Sequence, residues 1–245
     1  MITKNQIKYI NSLQQKKFRV ENQSFVVEGA KSVLELLKSD FIIEMLFVTD
    51  AFFEEHQDFL QNRPIQIEIA TQTDLEKAGS FSSNNAALAV VKTKENEELL
   101  VKDNEFALIL DDIRDPGNLG TIIRVADWYG IHKLICSNAT VDFYNPKVIS
   151  ATMGSFTRTN LYYTDLEDFI KNQSVNIYGT LLDGDNIHQT KFSDSGYIVI
   201  GNEANGISES IEKLITHKIT IPRFGEAESL NAGIATAVVL DNLRR

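Results

Sequence analysis

The sequence predicts an α/β fold in two parts. A small N-terminal α/β domain spans residues 1–92, a linker spans 93–105, and a larger domain over 106–245 is built on a mainly parallel sheet. Three observations predict this. Short apolar runs of strand length alternate with helical stretches, the pattern of a parallel sheet covered on both faces. The stretch Lys92–Glu105, KTKENEELLVKDNE, is polar and charged and interrupts that alternation. Apolar residues make up 43% of the chain, enough for buried cores.

Element by element, FVVEGAKSVLELLKS reads as a strand running into a helix whose apolar stripe is Val33, Leu34, Leu36 and Leu37. MLFVTD, IQIEIA and AALAVVK are short β-like runs. Beyond the linker, FALILD (106–111) is a strand, and the loop DIRDPGN leads into a helix, LGTIIRVADWYG, with Asn118 as its expected N-cap and Gly130 as its stop. KLICS (133–137), NIYGTLL (176–182) and YIVIG (197–201) are further strands. ISESIEKLI (207–215) is a helix and HKITIP (217–222) a strand ending at Pro222. The last helix, SLNAGIATAVVLDNL (229–243), is apolar nearly all round and is expected to be buried. Its Ala232, Gly233, Ala235 and Ala237 permit close packing on the sheet or on a second subunit.

Composition excludes several classes. No apolar run approaches the ~18 residues of a membrane span, so no membrane partner is expected. The polar, basic start lacks the apolar stretch of a signal peptide, which points to a cytoplasmic location. Cys136 stands alone, so no internal disulfide forms. His56, His132, His188 and His217 show no ligand spacing, and no metal is expected. A net charge of −10 argues against a simple nucleic-acid binder. Residues 1–38 differ, with Lys4, Lys8, Lys16, Lys17, Arg19, Lys31 and Lys38 against Glu21, Glu28 and Glu35. That segment is either a solvated helix face or a basic arm for phosphates.

Parallel α/β sheets bind ligands at the carboxyl ends of their strands. Three segments rich in Gly, Asn or Pro fall there. The first is NLGTIIRVA (118–126). At ~100° per residue, Leu119, Ile122, Ile123, Val125, Ala126 and Tyr129 share one face, and Gly120, Thr121, Arg124, Asp127 and Trp128 the other. Gly120 then leaves space beside the Arg124 guanidinium; the plain alternative is a surface pair of Arg124 with Asp127 at i+3. The second is GNEANGIS (201–208), where two glycines bracket Glu203 and Ser208 stands as an N-cap. The third is IPRFGEAESLN (221–231), again strand, loop and helix. A dinucleotide-dependent dehydrogenase is excluded, because DPGNLG does not fit Gly-x-Gly-x-x-Gly; a Gly-Lys-Ser/Thr phosphate loop is also missing.

NLGTIIRVA, GNEANGIS and IPRFGEAESLNAGIA together resemble the three ordered motifs of the SpoU/TrmH family of RNA ribose 2′-O-methyltransferases, within the SPOUT superfamily. The resemblance runs from Phe106 to Arg245. FRVENQSFVVEGAKSVLELL is similar to the ribosomal-protein L30e-like substrate-binding domain that many members carry. Ala232-Gly233 depart from the larger or hydroxyl-bearing residues common at that place. The resemblance implies a deep trefoil knot in the C-terminal domain and a homodimer. It implies S-adenosylmethionine held by Gly201, Ile221 and Leu230, with Leu181 as an addition. It also implies a catalytic group of Arg124 with Asn118, Glu203, Ser229 and Asn231. The function it implies is methyl transfer to a ribose 2′-hydroxyl of rRNA or tRNA. A guanidinium resists deprotonation and suits charge stabilisation better than proton abstraction. The alternative is a non-catalytic RNA-binding or ribosome-assembly protein that retains the knotted fold.

Overall fold

Capping residues set where the first helices begin. In α1 (Lys4–Ser12), Thr3 and Gln6 satisfy each other's backbone amides in a capping box. The computed structural model describes residues 2–61 and 65–245. They divide into two units, one running to Glu95 and including Asp142–Thr157, the other formed by Asn96–Val141 and Arg158–Arg245.

The first unit continues through α2 (Lys16–Asn22), β1 (Ser24–Glu28), α3 (Ala30–Leu37), β2 (Ile43–Val48), α4 (Asp50–Glu55), α5 (Gln57–Leu60), β3 (Ile67–Ile69), α6 (Gln72–Ala78) and β4 (Ala87–Lys92). Its sheet runs β1-β4-β2-β3. β4 pairs antiparallel with β1 and β2, and β2 pairs parallel with β3. β1 is buried along its whole length, and Phe47, Leu75, Leu88 and Val90 share one core with Ile10 and Leu13 of the N-terminal helical segment. Burial removes this apolar surface from water at ~25 cal/mol per Å², which holds the helices to the sheet.

The second unit opens with β5 (Phe106–Leu110), α7 (Pro116–Trp128) and β6 (Lys133–Ser137). The chain then re-enters the first unit with α8 (Pro146–Thr152). Phe156, just beyond α8, meets Phe25 edge-on at 6.1 Å, and Tyr144 lies 4.6 Å from the same ring. The sequence reading placed residues 142–157 in the C-terminal domain; by packing they belong to the first unit, because their apolar partners lie on β1 and α3. A linear pattern cannot show which core a short helix joins.

The second unit resumes with β7 (Asn160–Thr164), α9 (Leu166–Lys171), β8 (Asn176–Asn186), β9 (Gly196–Ile200), α10 (Glu209–Glu212), β10 (His217–Thr220) and α11 (Ala232–Leu243). Its sheet runs β10-β8-β9-β5-β6-β7, and every neighbouring pair is parallel. β5 and β9 are buried throughout, as central strands covered on both faces must be. β7 escaped sequence reading because it is a half-exposed edge strand without a continuous apolar run. α10 is shorter than the expected 207–215, and α11 starts three residues later than expected.

α11 is not buried all round. Ala232, Gly233, Thr236, Val239 and Leu240 face inward, while Ile234 is 54% exposed. Gly233 meets Thr121 of α7, where a Cβ would stand 2.7 Å from the Thr121 Cγ2. That close approach explains the small residue at this place. Arg244 donates to the Tyr129 and Gly130 carbonyls at the far end of α7. α7 and α11 therefore lie side by side and run in the same sense. Among the described residues no helix is long and apolar enough to cross a membrane.

Candidate active site

The carboxyl ends of β5, β9 and β10 lead into the three Gly- and Asn-rich segments. After β5, Asp111 extends the pairing with β9 through its N–H to the Ile200 carbonyl. Asp112 follows in the left-handed region at φ 59° and donates its N–H to the Ser137 hydroxyl. Asp115 then caps α7, accepting from the Asn118 N–H at 2.8 Å, with Pro116 as the first helical residue. The expected cap, Asn118, lies instead inside the first turn. Asp-Pro was the better signal, since Pro favours the first helical position and needs a cap just before it.

Displaced from the cap, the Asn118 side chain is free to bridge. Its Nδ2 donates to Glu203 Oε1, and its Oδ1 accepts from Asn231 Nδ2 at 2.7 Å. Asn231 in turn caps α11, its Oδ1 accepting from the Gly233 and Ile234 N–H groups at 3.0 and 3.3 Å. A continuous chain of hydrogen bonds thus runs from the α11 N-terminus through two amides to a carboxylate. Its polarity is set at both ends, since helix N–H groups only donate and an ionised carboxylate only accepts. This fixes which way both amides face. Glu203 neither braces an arginine nor caps α10; it terminates this relay.

Arg124 lies on α7, under two turns beyond Asn118, and is exposed. The surface pair with Asp127 does not form: Asp127 binds Arg158 at 2.8 Å. Among the described residues the Arg124 guanidinium has no hydrogen bond or ion pair. Gly120 is buried and opens no space beside the Arg124 guanidinium. Ser229 is exposed and outside the relay.

The segment 201–208 is a closed turn. Asn202 and Gly206 exchange backbone hydrogen bonds at 3.0 and 2.8 Å, and Gly206 has φ 68°. A Cβ on Gly201 would stand 2.3 Å from the Gly206 carbonyl carbon, so the turn itself demands glycine there. Ser208 occupies the cap position of α10 without a side-chain bond; the buried Asp111 carboxylate accepts its N–H at 2.8 Å. Asp111, Asp115 and Asn202 hold these loops in place, and apart from Asp-Pro nothing in the linear pattern singled them out.

The remaining site residues lie on two further loops. β8 pairs with β10 on both sides of an excursion over 180–184, since Lys218 opposes Gly179 and Ile219 opposes Asp185. Leu181 lies in that excursion, half-buried against the core, and Leu182 beside it is exposed. Ile221 follows β10 and opens the loop to α11. Within that loop Phe224 and Leu230 are exposed; among the described residues 224–230 make no backbone–backbone hydrogen bond, and the Arg223 guanidinium donates to the Ala227 carbonyl at 3.4 Å. Their N–H groups are open to water or a ligand. Unspent amides beside apolar side chains suit a ligand with a flat apolar ring and polar edges, such as a nucleoside. Among the described residues no group of three His, Cys, Asp or Glu could hold a metal ion.

Comparison with known proteins places the chain in a family. A profile described as MRM3-like substrate binding domain matches residues 4–89. The chain is 29% identical to the 23S rRNA (guanosine(2553)-2′-O)-methyltransferase RlmP of Bacillus subtilis, covering 98% of this chain and 97% of that one. It is 28% identical to the 23S rRNA (guanosine-2′-O-)-methyltransferase RlmB of Neisseria meningitidis, over 80% and 83% of the two chains. Among solved structures, an AdoMet-bound rRNA methyltransferase from Sinorhizobium meliloti superposes with a TM-score of 0.89 at 28% identity, covering 100% of this chain and 96% of that one. A profile of the SpoU rRNA Methylase family matches residues 105–241, more than half of the chain and all three loops that build the site, and the chain belongs to that family.

Proposed function

We propose that this protein transfers a methyl group from S-adenosylmethionine to a ribose 2′-hydroxyl of ribosomal RNA. The observation that carries the reading is the relay Glu203–Asn118–Asn231, which joins all three motif loops with the unpaired Arg124 on the same helix. The similarity to enzymes named for 23S rRNA supports ribosomal RNA over tRNA.

S-adenosylmethionine supplies a methyl group activated by a sulfonium. The open backbone of residues 224–230, with Leu230, Ile221, Gly201 and Leu181, suits its nucleoside and amino-acid parts. Arg124 grips a phosphate beside the target ribose and stabilises negative charge developing on the 2′-oxygen. With no intramolecular partner to displace, its donors remain available for a bidentate grip. The relay holds the Asn118 and Asn231 amides in one orientation, so that the loops around the ribose are set before the substrate arrives. Glu203 is the acceptor that ends that relay. Ser229, exposed next to Leu230, offers a hydroxyl to the ribose or to Arg124.

Four finer features belong to the same reading. The C-terminal unit forms a trefoil knot through the loops 201–208 and 221–231, and the N-terminal unit is an L30e-like RNA-binding domain. The protein works as a homodimer in the cytoplasm. Exposed Ile234 and Leu230, with Trp128 at 84% exposure, support an apolar contact with a second copy. Trp128 is the single tryptophan, so its emission should shift to the blue as concentration rises through the dimerisation range.

The test is transfer of labelled methyl groups to ribosomal RNA from cells lacking this protein, followed by mapping of ribose methylation. One new 2′-O-methyl site supports the reading. RNA binding without transfer on any rRNA or tRNA substrate would replace it with a non-catalytic assembly role.

A further inference from the structure

We infer that Asn202 is a positioning residue for the transfer, tying the turn that carries Glu203 to the turn that leads into α7. The inference rests on the methyltransferase reading for its activity arm only; its geometry stands without it.

Every polar atom of the Asn202 side chain is used. Oδ1 accepts from the Ala204 and Asn205 N–H groups at 2.8 and 3.2 Å, closing the turn around Glu203. Nδ2 donates to the Asp112 carbonyl at 2.8 Å, 90 residues earlier in the chain. Asp112 is held on its other side by Ser137 and lies three residues before the cap Asp115. One amide thus joins the supports of both ends of the Glu203–Asn118 hydrogen bond. Without it, the turn that carries Glu203 would keep its Asn202–Gly206 backbone pair but lose its side-chain tie to Asp112, and its next three residues, Ala204 to Gly206, are exposed. Asn118 would then lose the fixed acceptor that orients its amide, and Asn231 would lose its partner in turn.

Asn is the residue type this demands. Asp at 202 would keep both acceptor bonds inside the turn. It would also present an oxygen to the Asp112 carbonyl and turn an attraction into a repulsion. Asn202→Asp therefore breaks the bridge while sparing the turn.

Asn202→Asp and Asn202→Ala should lower single-turnover methyl transfer about 10- to 100-fold, the usual effect of misplacing an active-site group by about an ångström. The Kd for S-adenosylmethionine and the KM for RNA should change less than about threefold, with the melting temperature nearly unchanged for Asn202→Asp. Because Asn202 acts through Glu203, the double variant with Glu203→Gln should be no slower than Glu203→Gln alone. Hydrogen–deuterium exchange needs no substrate: protection over 115–120 and 231–236 should fall in Asn202→Asp. Wild-type turnover in Asn202→Asp, or losses that multiply with Glu203→Gln, would overturn the inference. If the wild type transfers no methyl group to any RNA, the functional reading fails by itself. Unchanged exchange over both segments would then overturn the positioning role, and lost protection there would support it.

Discussion

Arg19 and Arg124 are both helical arginines within short apolar-patterned segments, yet they end in opposite states. Arg19, in the first unit, is 3% exposed; its guanidinium donates to the Leu13 and Gln14 carbonyls and binds Asp142 at 2.6 Å. Arg124, in the second unit, is exposed and bonded to nothing among the described residues. The contrast extends to carboxylates. Glu28 is buried and binds the Ser80 and Phe81 amides and the Ser80 hydroxyl, whereas half-buried Glu203 ends a relay at the mouth of three loops. In the first unit, these polar groups are consumed in building the fold. At the strand ends of the second, they are held in place with capacity to spare for a ligand. One basic residue that the charge count credits to an RNA-binding arm is therefore unavailable to phosphates.

Removing residues 1–95 is the most severe way to test this division. It would strip the partners of Phe156, Val148 and Ile149, all buried in the first unit. The remaining fragment is expected to be insoluble or to lack a cooperative melt. A soluble fragment with a cooperative transition would show that 142–157 need no first unit.

Exchanging the two arginines separates their roles. Arg124→Ala should cut single-turnover transfer by at least about 100-fold, in the range for loss of one charge-stabilising donor, and leave the cofactor Kd nearly unchanged. Arg124→Lys should also be severely impaired, since a point charge cannot replace a bidentate fork. Arg19→Ala should do the reverse, lowering unfolding free energy by about 3 kcal/mol by leaving Asp142 unpaired, with near-normal transfer by the folded fraction. Denaturant melts beside single-turnover assays read both; similar profiles for the two variants would erase the contrast.

A smaller effect tests the packing of α7 on α11. Gly233→Ala should destabilise by about 1–3 kcal/mol despite the better helix propensity of alanine, because the new Cβ meets Thr121. Thr121→Ser removes the offending methyl group and should restore much of that loss; independent effects in the double variant would show that the two residues do not share this contact.

The smallest expected effect is electrostatic. Burial works against the Glu105 carboxylate, but hydrogen bonds from Lys133 and the Lys102 amide outweigh it and hold its carboxyl below the usual range. A depressed carboxyl pKa stabilises the fold above the unfolded value of 4.5, and that contribution fades as pH falls through the folded value. Lys133→Met should therefore cost stability at pH 7, at most about 1 kcal/mol for a partly exposed pair, and the difference from wild type should vanish in acid. Parallel melting curves from pH 7 to 3 that stay equally spaced would contradict this.

Sequence alone determined the strands other than β7 and the bodies of α3, α7 and α11, because apolar periodicity reports burial one element at a time. Val33, Leu36, Ile122 and Ile123 are buried where their spacing places them. It also determined the three motif loops, since Gly, Asn and Pro mark where regular pairing must stop. The residues of the relay were legible only as members of a resembling family; their mutual bonds were not. Asn118 pairs with a carboxylate 85 residues away and an amide 113 residues away, and no local pattern encodes such distances. Tertiary structure likewise decided that Asp127 binds Arg158 and leaves Arg124 unpaired, that Gly120 faces inward, and that 142–157 join the first unit. The physical reason is common to all of them. Local sequence sets which backbone shapes and faces are cheap, while the partner of a polar side chain depends on which distant segment the fold brings within 3 Å.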